Sequence, residues 1–545
     1  MIAWPAALGG LATVAAGLPM VVAAGVLALQ RPDVVADGDF AVDEIALLRS
    51  THFAQLVGNY SRFGWSHLGP AWFYALDFVY APLGQHSWAF FVAALALHAL
   101  ALCLIVLAAW RIRGPALAAI TALLLLWFVA TLGLPTFRGA WPPYETILPI
   151  ILFLLLAALG AAGSTLAVVG ALLVGSYEAQ LHVGTVPTIA IALGVMTVIR
   201  LAGHRWPART GVFSDIKGRP LTLVLLGLGL ATLIAMWIPV VVDELTGHPG
   251  NLTKLARFFF LANLPHHHLH EGVAALGRHL AVFPLGHPPP GTESDYSALT
   301  LARLLPVVAF LALSGALAAA GTIARDRFAQ SLGAILFVVT IGLVWSISRA
   351  IGELSSYFLL WTTTLPLVLI VGWAALLLKL AALTWLPRSS SSIRARALAA
   401  GIAAALVVLT AIQTVGFLRL PSPAMEADPG TRTAAALVEA SLASQPRQPV
   451  LVTIVALDAW PAAAGVSLQL IKHGWPVSVR PEYQFMFGDQ MRATGREGVE
   501  LVFVPQSSLG QFDQHAPGLT FVAAVPTCGA GCTLYVFTRT PAAVP

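Results

Sequence analysis

Runs of about twenty apolar residues, broken by Gly, Pro or short basic stretches, recur through the first 420 positions of this chain. As a helix, each is long enough to cross a hydrocarbon core of about 30 Å. Lipid offers no partner to a backbone N–H or C=O, so a spanning segment must satisfy its own hydrogen bonds, and a helix does that. Composition leads to the same place. Of 545 residues, 58% are hydrophobic and 10% charged, with a mean hydropathy of +0.82. Soluble domains carry roughly 25% charged residues. Lipid must therefore solvate much of this surface, and the chain reads as an all-α polytopic membrane protein. The N-terminal run of about 26 residues lacks a basic leader, which reads as a retained first helix and not as a signal peptide. The formal net charge of +5 does not point to nucleic acid, because the basic residues sit in short loops between apolar runs.

The breaks predict about eleven membrane helices. They fall at roughly 4–29, 70–82 with 86–109 (one broken helix, or a short dip before a span), 115–133, 147–162, 165–181, 184–200, 220–241, 300–322, 330–348, 356–381 and 397–418. Lys and Arg concentrate in "WRIRGP" (110–115), "RLAGHRWPARTGVFSDIKGRP" (200–220), "ARDRF" (324–328) and "LPRSSSSIRARA" (386–397). The positive-inside rule puts these four in the cytoplasm. Helix parity then places 30–68, 134–146, the turn near 178–184, 243–299, 349–355 and everything after 419 outside.

From about Pro421 the pattern changes. "PVLVTIVAL" and "VELVFVP" are short β-branched runs, "TAAALVEASLAS" and "AAAGVSLQLIKHG" read as helices, and "CTLYVFTRT" alternates like a final strand. Residues 1–420 thus form the membrane domain, and 421–545 a small extracytoplasmic α/β domain. Cys528 and Cys532 in "CGAGC" suit a small disulfide in an oxidising compartment.

Polar chemistry collects on the outer side. Asp37, Asp39, Asp43 and Glu44 lie within eight positions, just past the first span. If "FAVDEIALLRSTHFAQL" is helical, Asp39 and Asp43 share a face near its start, with Asp39 a candidate cap. Carboxylates are favoured there by the macrodipole, so an acidic first turn on a surface helix is the plain alternative to a catalytic group. The next stretch, "GNYSRFGWSHLGP", adds Tyr60, Arg62, Trp65 and His67 before a Gly69-Pro70 break. An interfacial aromatic belt explains Trp and Tyr but needs neither the Arg nor the His. Arg is well suited to a pair of phosphate oxygens.

Other polar groups sit at outer helix ends. "GSYEAQLHVG" contributes Glu178, Gln180 and His182, "TFRGAWPPYET" contributes Arg138, Trp141, Tyr144 and Glu145, and "SISRAIGELSSY" contributes Arg349. An ionisable residue at membrane depth costs about 2.5–3.5 kcal/mol on insertion scales. Snorkelling to the interface is the ordinary explanation. "LPHHHLHEG" (264–272) offers a divalent metal in principle, but adjacent His residues point in different directions, and metal sites draw ligands from several segments. No cofactor is expected. No GxGxxG, Walker or HExxH pattern is present.

An acidic loop after helix one, then "YSRFGW-H-GP", about ten further spans and an outer α/β domain together resemble the bacterial GT-C glycosyltransferases. "SYEAQLHVG" and "DELTGHPGNLTKLARFF" (243–259) are similar to segments of actinobacterial-type members. The resemblance implies a polyprenyl-phosphate-linked sugar donor and a glycan, lipid or protein acceptor in the envelope. It also implies an Asp or Glu of the first outer loop as general base. Many GT-C members carry a plain Asp-Glu pair there, which corresponds to Asp43-Glu44, while "ADGDF" offers Asp39 as well. Proton abstraction needs a carboxylate, and the departing phosphate needs cations, for which Arg62 with Arg349 or Arg138 are candidates. The expected cavity sets Arg62 and His67 beside the carboxylates, with Glu178 and His182 opposite. Asp458, Trp460 and Trp475 are candidate sugar contacts. The rival readings are a transporter or flippase of a lipid-linked glycan and a non-catalytic envelope assembly protein.

Overall fold

The computed structural model describes residues 4–204, 220–289, 291–384, 393–423, 428–443, 445–527 and 532–540. Most of the basic stretches at 200–220 and 386–397, together with Cys528 of the expected disulfide, lie outside these residues. Among the described residues nine helices are long and apolar enough to cross a membrane, and the protein is a multi-pass membrane protein. One of the nine, Ser87–Leu132, has 46 residues and so a length of roughly 70 Å, twice a hydrocarbon core. It is two rods. Arg113 (φ −145°, ψ 25°) and Gly114 (φ 74°, ψ −166°) leave helical geometry, and Pro115 opens the second rod. A shorter apolar helix, Thr165–Leu181, comes in addition. These helices match the expected spans closely.

The chain divides into two compact units, one of residues 1–26, 94–241 and 259–420, the other of 27–93, 242–258 and 421–545. The first is the helical membrane body. Its helices approach closely at small residues, as lipid-embedded packing favours. A methyl group added at Gly277 would overlap the Arg303 carbonyl, and one at Gly333 would overlap Ala318 of the neighbouring helix. At one end of this body Arg113 pairs with Asp326, and Lys379 lies 3.7 Å from the same carboxylate while donating to the Ala324 and Arg325 carbonyls at 3.0 and 2.9 Å. The basic loops 110–115 and 324–328 are therefore on one side, as the parity count requires.

The second unit is built on a five-stranded sheet: β1 (Val450–Ile454), β2 (Val477–Val479), β3 (Val499–Pro505), β4 (Thr520–Pro526) and β5 (Thr533–Arg539), in the order β2-β1-β3-β5-β4. β2, β1 and β3 run parallel, and β5 is antiparallel to both β3 and β4. "VELVFVP" is buried at every position because it is the central strand. Val499, Leu501 and Phe503 enter the core beneath helices Pro429–Leu442 and Trp460–Lys472, while Val502 and Val504 enter the smaller cluster with Phe537, following the two-residue period.

A third helix, from far away in sequence, shares this core. Gly38–Ser50, in the first loop, places Ala41, Val42 and Ile45 in the same cluster. Each buried Val or Ile contributes about 1.5–3 kcal/mol. The helix is shorter than its periodicity predicts, ending at Ser50 where Phe53 turns to φ 55°. The cap position belongs to Asp37 (φ −135°, ψ 173°), and Asp39 lies in the first turn, which corrects the expectation that Asp39 caps it. Close approach of the Trp460–Lys472 helix is possible because residue 465 is Gly. A side chain there would meet the Ala36 carbonyl at 2.7 Å.

Candidate active site

In the sheet-bearing unit the four first-loop carboxylates descend from the surface into the core. Asp37 is half-buried and accepts a hydrogen bond from the Asp428 N–H at 3.0 Å. Burial raises its pKa, against the backbone hydrogen bonds that lower it. Asp39 is also half-buried, and the Tyr60 hydroxyl donates to it at 2.5 Å. One turn on, Asp43 is 1% exposed, and among the described residues its carboxylate oxygens accept no hydrogen bond. Burial, and secondarily the Asp39 charge, push its pKa well above the usual carboxylate range. That environment favours the protonated form of Asp43. Glu44 is fully buried, and its Oε1 accepts from Tyr80 Oη at 2.7 Å and from Lys472 Nζ at 2.5 Å, while Oε2 accepts no hydrogen bond among the described residues. Asp37 and Asp39 both keep partial access to solvent, but Asp37 is tied to the backbone of the 428 segment, whereas the donor on Asp39 is the side-chain hydroxyl of Tyr60.

"GNYSRFGWSH" forms a small hairpin. Tyr60 and Ser66 bridge, the Ser61 N–H donates to the Trp65 carbonyl at 2.9 Å, and Gly64 takes φ +83° at the turn, a conformation that favours glycine. The hairpin sets Tyr60 inward and Arg62 at the exposed tip, its guanidinium 5.2 Å from the centre of the Phe63 ring. Trp65 and His67 are buried at the base, with ring centres 5.7 Å apart. Asn251 clamps this base, accepting from the Ser66 N–H and donating to the Ser66 carbonyl, both at 2.8 Å. Pro70 then opens the short helix Ala71–Tyr80, as the Gly-Pro break predicts. Tyr60 also meets Trp460 and Phe485 edge-on at 6.3 Å, which brings Trp460 next to Asp39. Trp475 is a core residue, and Asp458 pairs with Ser507 at 3.3 Å.

In the membrane body a second polar group gathers. Glu145 and Glu178 are buried, each within electrostatic range of the other and of Tyr177. His98 Nε2 stands 3.7 Å from Glu145, and neither Glu178 oxygen accepts a hydrogen bond among the described residues. Gln180 is tied down by donating to the Met236 carbonyl at 3.0 Å, and His182 Nδ1 accepts from the Gly184 N–H at 3.2 Å. A chain of rings links Tyr144 to Trp141 (5.1 Å), Trp141 to Tyr357 (5.1 Å), Tyr357 to Phe358 (4.3 Å) and Phe358 to His182 (5.8 Å). Arg138 is buried at the end of the Leu134–Arg138 helix, while Arg349 is exposed at the C-cap of Arg327–Ser348. The predicted residues therefore form two groups, one in each compact unit.

Sequence reasoning missed His98, Lys472, Tyr80 and Asn251 as members of these groups. A lone His within "ALALHALALC" was the available signal for the first. The His-rich stretch divides its side chains. His267 contacts the Gly352 carbonyl at 2.8 Å, and His268 forms a capping box with Glu271 at the start of Leu269–Leu280. Among the described residues no three His, Cys, Asp or Glu side chains converge as metal ligands would.

No protein-family model matches the chain, and neither does any curated protein sequence. Among solved structures it is similar to ArnT from Cupriavidus metallidurans bound to undecaprenyl phosphate, with 14% identity, a TM-score of 0.50 and 98% of each chain covered. The apo state of ArnT gives a TM-score of 0.51 at 14% identity, covering 95% of this chain and 97% of that one. The chain shares the ArnT fold over nearly its whole length, a helical membrane body with a small sheet-bearing domain, as the GT-C resemblance implied.

Proposed function

We propose that this protein is a membrane glycosyltransferase of GT-C type. It takes a hexosyl or pentosyl group from a polyprenyl-phosphate-linked donor and passes it to an envelope glycan, lipid or protein outside the cytoplasmic membrane. The observation that carries this reading is Asp39, a half-buried carboxylate held at 2.5 Å by Tyr60 beside Trp460, with Asp43 buried behind it. In this reading Asp39 takes the proton of the acceptor hydroxyl as that oxygen attacks the anomeric carbon. The bond from that carbon to the phosphate oxygen breaks, and the polyprenyl phosphate leaves with the electron pair. Burial favours the protonated form of Asp43, and in this reading Asp39 is the member of the pair that accepts the proton. Glu44, engaged by Lys472 and Tyr80, is assigned a structural role.

The fold shared with a protein that holds undecaprenyl phosphate supports a polyprenyl phosphate as the lipid carrier. We assign Arg62, Arg138 and Arg349 as candidate countercharges for the phosphate, and Tyr144, Trp65, His67, Glu178, Gln180 and His182 as candidate substrate contacts. The sheet-bearing domain is extracytoplasmic in this reading, by the parity of the basic loops. Kinship to actinobacterial-type members rests on the sequence segments alone. No cofactor is assigned, and EDTA is expected to leave transfer unchanged.

The test is a transfer assay on membranes containing the protein, against a panel of polyprenyl-phosphate sugars. Transfer from at least one donor is expected, and its absence across the panel would sink the reading. One observation favours the transporter alternative, namely the buried Glu145, Glu178 and His98 within membrane helices, the residue types of intramembrane relays. Movement of a lipid-linked glycan between leaflets of proteoliposomes, with no transfer, would favour it.

A further inference from the structure

A cavity of about 850 Å³ opens in the sheet-bearing unit, lined by the 31–34 segment, the C-terminal half of helix Gly38–Ser50, the 84–88 turn and the end of helix Trp460–Lys472. It borders the first-loop acids through Lys472, which pairs with Glu44, but Asp39 is not in its lining. Leu48 lies nine residues along the same helix, about 13 Å up the axis and half a turn round. The lining is strongly basic: Arg31, Arg49, His52, His86, Lys472 and His473, against Asp33. Two of these already have acidic partners, Lys472 pairing with Glu44 at 2.5 Å and His473 Nδ1 lying 2.5 Å from a Glu439 oxygen, while Asp33 is paired with Arg432. His52 lies within electrostatic range of Asp77.

Arg49 is different. Its guanidinium donates to the Phe487 carbonyl at 2.6 Å and to Gln490 Oε1 at 3.4 Å, both neutral acceptors, and forms no ion pair among the described residues. Gly488, at φ +90°, leaves room for it, since a Cβ there would fall 2.8 Å from Nη1. Burial lowers the Arg49 pKa to about 10, which still leaves it charged at neutral pH. A half-buried cation without an anion is costly, and it favours an anionic ligand. Arg31 adds a second charge that makes no side-chain hydrogen bond or ion pair among the described residues, and His86 stacks on Trp88 at 5.8 Å.

The location selects the kind of anion. Arg31 directly follows the apolar helix ending at Gln30, and His86 directly precedes the one starting at Ser87. The pocket thus sits where two membrane helices emerge, at headgroup level, with Trp88 and Val34 in its wall. We propose that it binds the phosphate of an acidic phospholipid headgroup, a ligand separate from the sugar donor and independent of the transferase reading.

The test uses the full chain purified in neutral detergent, with phosphatidylglycerol, phosphatidylcholine and inorganic phosphate as probes. Retained lipid is read by native mass spectrometry, and the thermal shift is measured in parallel. Phosphatidylglycerol is expected to be retained and to raise the unfolding temperature, and phosphatidylcholine is not. Arg49→Gln should weaken retention about tenfold, and Arg31→Gln about threefold, in line with lost charge-assisted hydrogen bonds. Should Arg49→Gln fail to fold, the exposed Arg31→Gln decides alone. Equal retention of the two lipids, or wild-type retention by the folded variants, would overturn the proposal. So would an inorganic phosphate shift to which phosphatidylglycerol adds nothing, which would assign the pocket to a free anion.

Discussion

Glu44 and Glu178 are both fully buried, one in the sheet-bearing unit and one in the membrane body, yet their surroundings are opposite. Glu44 receives the Tyr80 hydroxyl and the Lys472 ammonium, so its charge is matched where it is buried. Glu178 has Glu145 and Tyr177 within electrostatic range, and its carboxylate oxygens accept no hydrogen bond among the described residues. The first is the signature of a carboxylate used as a structural clamp. The second is a polar group maintained against its cost, which folding alone does not explain. Burial therefore does not sort catalytic from structural acids. The partner does.

The largest effect expected from this contrast is on Lys472→Met. It strands the Glu44 carboxylate without its cation, and loss of one partner of a buried pair costs about 3–5 kcal/mol. Thermal unfolding should show a clear drop, recovered in large part by Glu44→Gln in the same chain. An unchanged unfolding temperature in Lys472→Met would remove Glu44 from the structural class.

Next comes Glu500, a second matched acid, fully buried on β3 with Arg480 at 2.8 Å, Arg539 at 3.0 Å and Thr453 at 2.6 Å. Burial opposes its ionisation, but the hydrogen bonds from Arg539, Thr453 and Arg480 outweigh it and hold the pKa below the usual value. A depressed acid gives stability that is present above its unfolded value, near 4.3, and lost as pH falls through its folded value. Glu500→Gln should cost about 1.5–3 kcal/mol at neutral pH and flatten the acid limb of the stability profile. An unaltered acid limb would show that other carboxylates govern it.

The smallest effect on stability is expected at Glu178. With no hydrogen bond to lose, Glu178→Gln should move the unfolding free energy by less than about 1 kcal/mol. Transfer should nonetheless fall about tenfold, mainly through KM, if the group contacts substrate. A large loss of stability with kinetics unchanged would reverse the assignment.

Much of the membrane body was legible in the sequence. Lipid forces long uninterrupted apolar runs, and the span ends came out within a few residues, including the break at Arg113–Gly114. β1, β3 and β5 stood out by their β-branched residues. β2 has three residues, and β4 is largely exposed with two alanines, so neither carried a pattern strong enough to read. Membership of the Gly38–Ser50 helix in the sheet's core was invisible, because Ile45 and Phe503 belong to one cluster only through folding. The same distance hid the clamp on Glu44, whose lysine is 428 positions away. The acidic cluster could be seen as a set, but the ranking within it came from burial and partners, which no local pattern encodes.

The account turns on Asp39 as the accessible member of its pair and the proton acceptor, and parallel assays of Asp39→Asn and Glu44→Gln test it most directly. With a competent polyprenyl-phosphate sugar, Asp39→Asn should reach the membrane in normal amount and lose transfer by about 10²-fold or more, a typical general-base contribution. Folded Glu44→Gln should retain most of its activity. Full transfer by Asp39→Asn, with loss in Glu44→Gln at unchanged stability, would contradict the account.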